Sequence, residues 1–124
     1  TCAIIVLVVV GGCFDFDLHP CTDYFASINL AVVDSTGVSV PDVSIRVELA
    51  RTGEVLDVRQ HSTFYGMYKV ADDSHKKYIG LFPERFIVTG TKDTLGFSTE
   101  YLLYVDSGRC HIHKVAGPDS VLIE

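Results

Sequence analysis

The sequence predicts an all-β fold, a seven-stranded antiparallel β-sandwich, and three observations carry that expectation. Val, Ile, Thr, Tyr and Phe are frequent, and no long stretch has helical period. Short runs alternate apolar and polar residues, which puts one face of a strand in the core and the other in water. Gly, Asp, Ser and Pro punctuate those runs at regular intervals, as in antiparallel sandwiches.

Tyr24 to Asp34 alternates around Ile28, Leu30 and Val32 and predicts the first strand. Asp34-Ser35-Thr36-Gly37 is turn chemistry, because Asp bonds its own backbone and Gly accepts positive φ. Asp42 to Arg51 is the clearest strand, with Val43, Ile45, Val47 and Leu49 set against Ser44, Arg46, Glu48 and Ala50. Thr52-Gly53 turns the chain, and Val55 to Gln60 is expected to return as the partner strand of a hairpin. Phe64 to Val70 is an aromatic-rich strand interrupted by Gly66, and residues 71–83 are expected to form the longest loop. Arg85 to Thr91, Phe97 to Val105 and Arg109 to Val115 are the next strands, separated by Lys92–Gly96 and Asp106-Ser107-Gly108. Gly117-Pro118-Asp119 breaks the last of these, and Val121-Leu122-Ile123 is a short final piece.

The chain has 124 residues, 48% of them apolar and 21% charged, which suits one domain with its own core. A formal net charge of −6 repels phosphate backbones, so a nucleic-acid partner is not expected, and no basic run marks anionic lipid. Residues 3–10 are uniformly apolar and uncharged, which is too short to span a bilayer and suits the apolar region of a secretion signal. Val10-Gly11-Gly12-Cys13 follows and resembles the lipobox of bacterial lipoproteins. That resemblance implies a diacylglycerol on the Cys13 thiol, cleavage before it, and a membrane as partner through an N-terminal lipid anchor. An ordinary signal peptide or a transmembrane anchor is the alternative, and each reading exports the domain to the cell envelope. Residues 14–20 read as a short tether ending at Pro20, so residues 1–20 form a signal remnant and tether and residues 21–124 the folded domain. Phe14 rather than Asp follows Cys13, which by resemblance to Gram-negative lipoproteins leaves sorting to the outer membrane open.

Of four cysteines, Cys2 falls in the signal and Cys13 would carry lipid. Cys21 and Cys110 remain, and in an oxidising compartment that parity suggests one disulfide closing nearly the whole domain. Two unpaired buried thiols are the alternative.

Several segments fall in an order similar to that of the carboxypeptidase regulatory-like domains, which are small transthyretin-type (prealbumin-like) sandwiches. They are Val33-Asp34-Ser35-Thr36-Gly37 with Val40-Pro41-Asp42-Val43, then Thr63 with Gly66-Met67-Tyr68-Lys69-Val70, then Phe86-Ile87-Val88-Thr89 and Gly96-Phe97. Cys21 before the first strand and Cys110-His111 near the end resemble a variant common in bacterial lipoproteins. The resemblance spans about residues 21–124 and implies a non-catalytic accessory, stalk or interaction module with a protein or glycan partner and no cofactor. Residues 71–83 depart from the usual pattern, being more polar and lacking its Gly-Tyr ending.

His111-Ile112-His113 is the one motif suggestive of chemistry. On a strand, residues two apart share a face at roughly 6.5–7 Å, and two imidazoles so placed chelate a transition metal if a third ligand joins them. His61, His75, Tyr101 and Tyr104 are the spare ligands. The stretch resembles the His-x-His segment of intradiol ring-cleavage dioxygenases, although only eleven residues follow His113 and no pair of Tyr ligand motifs is evident. The alternative is a pair that binds nothing, since likeness of fold does not make a site. A second enzyme family, the transthyretin-related hydrolases of 5-hydroxyisourate, ends in Tyr-Arg-Gly-Ser, whereas this chain ends Val-Leu-Ile-Glu. Asp72-Asp73-Ser74 reads as a solvated turn or a calcium contact. Tyr65, Tyr68, Tyr78, Tyr101 and Tyr104 would form a stacking face in a carbohydrate-binding module, or else lie half-buried in strands.

Overall fold

Two sheets share one core. The computed structural model describes residue 21, residues 24–60 and residues 65–124. The expectations for the signal, the lipobox at Cys13, the tether, His61, Thr63 and Phe64 lie outside those residues. One sheet has three strands in the order β3 (Met67–Asp72), β1 (Ser27–Val33), β7 (Ser120–Leu122). The other has four, in the order β2 (Ser44–Leu49), β4 (Glu84–Lys92), β5 (Leu95–Val105), β6 (Ile112–Ala116).

Alternation decides which residues enter the core. Val47 and Leu49 of β2, Phe86 and Val88 of β4, and Tyr101 and Leu103 of β5 point inward and are buried. They meet Leu30 of β1, Val70 of β3 and Ile112 of β6 in the main cluster. Each large apolar side chain fully buried this way contributes about 1.5–3 kcal/mol. Val32, Val40, Val43, Tyr68 and Ile123 form a second cluster, and Ile45, Phe97 and Val121 pack against both. Gly90 is needed opposite Phe97, because a Cβ there would come within 2.1 Å of the ring.

Four sequence expectations change. The fold is not wholly antiparallel, since β7 runs parallel to β1 with Ala31 opposite Ser120 and Val33 opposite Leu122. Gly117-Pro118-Asp119 carries the chain across from the four-stranded sheet to β1 of the other, where the Ala31 amide donates to the Asp119 carbonyl at 3.0 Å.

Val55 to Gln60 does not return as a strand. It makes one bridge, Glu48 to Val55, while β4 takes the long antiparallel pairing with β2. The segment then leaves for the other sheet. The Gln60 side chain accepts from the Lys69 amide at 2.7 Å and donates to the Lys69 carbonyl at 2.8 Å, so a side-chain amide replaces a strand on the outer edge of β3. A covered edge is protected from pairing with another chain.

Residues 71–83 are not an open loop. Strand β3 runs on to Asp72, and Asp73–Tyr78 forms a short 3-10 helix. Asp72 caps it by accepting from the Ser74 amide, and the Asp72 amide donates back to His75 Nδ1, completing a reciprocal capping box. Finally, β6 starts at Ile112 rather than Arg109, because Arg109 adopts a φ of 57° and turns the chain.

Candidate functional site

Polar groups collect at the end of the sandwich where β1 begins and β3 finishes. Asp72, Asp73 and His75 are its buried ionisable residues. Asp73 is the centre. One carboxylate oxygen accepts from the Ala26 amide at 2.8 Å and from His111 Nδ1 at 2.6 Å, and the other from the Ile112 amide at 2.9 Å. The Asp73 amide donates to the Ala26 carbonyl at 3.1 Å. One side chain thus joins the entry to β1, the 3-10 helix and the entry to β6.

Burial pushes the Asp73 carboxyl up, but the bonds from His111, Ala26 and Ile112 outweigh it and hold it below the ordinary carboxylate value. The same balance operates at Asp72, where Lys69 at 2.8 Å, Ser74 and His75 overcome burial. His75 is committed at both ring nitrogens: Nδ1 accepts from the Asp72 amide, and Nε2 donates to the Asp57 carbonyl at 2.9 Å. The carbonyl belongs to the segment that crosses between the sheets.

The Cys21–Cys110 disulfide closes this corner, with the two Cα atoms 5.2 Å apart and a sequence separation of 89. Beside it, the Arg109 guanidinium donates to the carbonyls of Lys76, Ile79 and Gly80. Lys76 Nζ answers by donating to the carbonyls of Arg109 and Cys110. Both side chains satisfy carbonyls that a helix end and a tight turn leave without partners.

The predicted histidine pair is divided. His111 precedes β6 and binds Asp73, and its ring meets Tyr24 edge-on at 5.1 Å. His113 lies in β6, stacks on Tyr104 at 5.0 Å, and reaches Asp106 at 3.3 Å. Asp106 is held below its ordinary value chiefly by the Cys110 amide, against slight burial and with help from His113. Among the described residues, no three or more His, Cys, Asp or Glu side chains are grouped to hold a metal ion. The spare ligands disperse as well: His75 is within the capping box, and the Tyr101 hydroxyl donates to the Pro118 carbonyl. Burial, with Asp119 nearby, pushes the Tyr101 phenol up to about 12.

The five-tyrosine stacking face also breaks up. Tyr68 and Tyr101 are core residues, and the Tyr68 hydroxyl donates to the Val40 carbonyl while accepting from the Val43 amide at 3.1 Å. Tyr65 and Tyr104 remain exposed. A surface depression of about 310 Å³ is lined by Ala50, Arg51, Pro83, Glu84, Arg85 and Leu102, none of them part of the Asp73 group.

A carboxylate on Nδ1 is the arrangement that orients a histidine in acid–base sites. Here the same carboxylate holds two backbone amides, so the fold fixes its position. Asp73, expected in a solvated turn or a calcium contact, is instead buried and bonded to Ala26, His111 and Ile112, and nothing in the sequence pattern marked the contacts of Arg109 and Gln60. The spacing of Asp72 and His75 was the available signal for the cap, with His in the place usually taken by Glu or Gln. No protein-family model matches the chain, and no curated protein or solved structure matches it either.

Proposed function

We propose that the chain is a non-catalytic cell-envelope lipoprotein, anchored through lipid on Cys13, whose sandwich serves as an accessory or interaction module for a protein or glycan partner. Residues 1–20 are then signal and tether, and residues 21–124 form a seven-stranded, prealbumin-like domain similar to the carboxypeptidase regulatory-like domains. A bacterial outer membrane or cell surface is the location that fits this reading.

The observation that carries it is the Cys21–Cys110 disulfide. Persistent structural disulfides belong to oxidising compartments. This one also sits where the tether meets the domain, so a pull on the anchor is borne by a covalent link into the strand following Cys110. The commitment of Asp73 and His75 to backbone groups supports the non-catalytic part.

Cell fractionation of the Cys13→Ser chain tests the reading. The wild-type chain is expected in the membrane fraction and the variant in the soluble envelope fraction. Equal membrane retention of both would contradict the lipid anchor. The rival readings are a metal enzyme built on His111 and His113, and a carbohydrate-binding module. A stoichiometric transition metal in the purified chain, lost in His111→Ala, would favour the first, and a specific hit on a glycan array the second.

A further inference from the structure

Among the described residues, the most exposed large apolar side chains are neighbours in sequence: Leu81 is 91% exposed and Phe82 79%. They form the tip between the 3-10 helix and β4. Scattered apolar residues on a surface need no explanation, but an adjacent Leu-Phe pair held out on a braced loop does. The brace is specific. Arg109 holds the carbonyls of Ile79 and Gly80 on one side, at 2.8 and 3.0 Å, and Pro83 fixes the backbone on the other.

The tip lies at the disulfide end of the sandwich. Arg109, which grips Gly80, adjoins Cys110, and Cys110 is bonded to Cys21. Tyr24 and Phe25, at 66% and 59% exposed, emerge at this end too, with Tyr24 against His111. Lys76, Lys77 and Arg109 frame it with positive charge in a chain whose net charge is −6. The turn after β1 and the turn between β4 and β5 occupy the opposite end.

We propose that this end, led by Leu81 and Phe82 with Tyr24 and Phe25 beside them, docks on the bilayer surface to which the chain is anchored. The proposal rests on the lipid anchor proposed above. Cys21 lies eight positions after Cys13, a span of at most about 28 Å when fully extended. A lipid on Cys13 therefore keeps the disulfide end close to the membrane and gives the tip a high local concentration of bilayer. Apolar side chains enter the headgroup boundary, tyrosines favour that level, and cations at the rim meet lipid phosphates. The fit to a membrane is better than to a distant protein, because the tether limits which surface this end can reach.

The chain contains no Trp, so one substitution supplies a unique probe. Phe82→Trp and, at the opposite end, Val38→Trp are each purified from the native membrane as full mature chains. They are then reconstituted into vesicles with and without brominated acyl chains, and lipid on Cys13 is checked by intact mass. The expected result is blue-shifted emission, quenched by the brominated lipid, for the indole at position 82, and water-like emission for the one at 38. A lipidated protein whose position 82 behaves like position 38 overturns the docking and leaves the anchor standing. An unmodified Cys13 overturns the anchor and the docking proposal with it. Equal quenching at both positions also overturns the proposal, since contact would then not be specific to this end.

Discussion

His111 donates from Nδ1 to the Asp73 carboxylate across 2.6 Å, tying the 3-10 helix to the chain that enters β6. Because Asp73 also holds the Ala26 and Ile112 amides, this contact is one of three through which its carboxylate fastens the end of the sandwich.

Asp73→Ala removes the shared acceptor and leaves two buried amides and an imidazole to find others. The expected cost is about 3–5 kcal/mol, since each stranded buried donor costs about 1–3 kcal/mol. Urea unfolding would show it as a lower midpoint with an unchanged slope. The pH dependence has a definite sign. Asp73 and Asp72 are held below the ordinary carboxylate value in the fold, so their contribution is present above the unfolded value of about 4 and is lost as pH falls through the folded values. Wild-type stability should fall below about pH 4, and Asp73→Ala should show a shallower acid decline. An equally steep decline in the variant would remove Asp73 from the account.

Gln60 is expected to matter through the edge it covers. Gln60→Ala loses both bonds to Lys69 and should cost about 1–3 kcal/mol. Amide exchange at Lys69 should quicken beyond the change seen at residues in β4. Unchanged exchange at Lys69 would mean that the side-chain rung does not protect that edge.

The alternation of Val43 to Leu49 was legible because one face of β2 is buried and the other wet, and the same holds for β4 and β5. Val55 to Gln60 was misleading because its apolar residues, Leu56 and Val58, pack on the core without a ladder, and a side chain takes the place of one. Residues 71–83 read as loop because their polarity looks solvent-facing. Yet Asp73 and His75 are buried, with partners 47 and 18 residues away that local pattern cannot reveal. The His111/His113 pairing assumed a strand through both residues. The positive φ at Arg109 and the pull of Asp73 send His111 elsewhere, whereas the disulfide, a matter of parity and compartment, was legible.

Breaking that disulfide should be the largest single loss. Cys110→Ser opens an 89-residue closure, worth about 4–5 kcal/mol on the chain-entropy model. Thermal melting of the oxidised, reduced and Cys110→Ser proteins checks it. Reduced and variant proteins should melt together, well below the oxidised form. Coincident melting of all three would deny the staple a role.

Intact mass of the chain isolated from cell membranes reads out lipid on Cys13 and the Cys21–Cys110 disulfide together. A mature chain beginning at Cys13 with the added mass of lipid is expected, with a gain of about 2 Da on reduction as Cys21 and Cys110 take up hydrogen. A free Cys13 thiol, or no mass change on reduction, would contradict it.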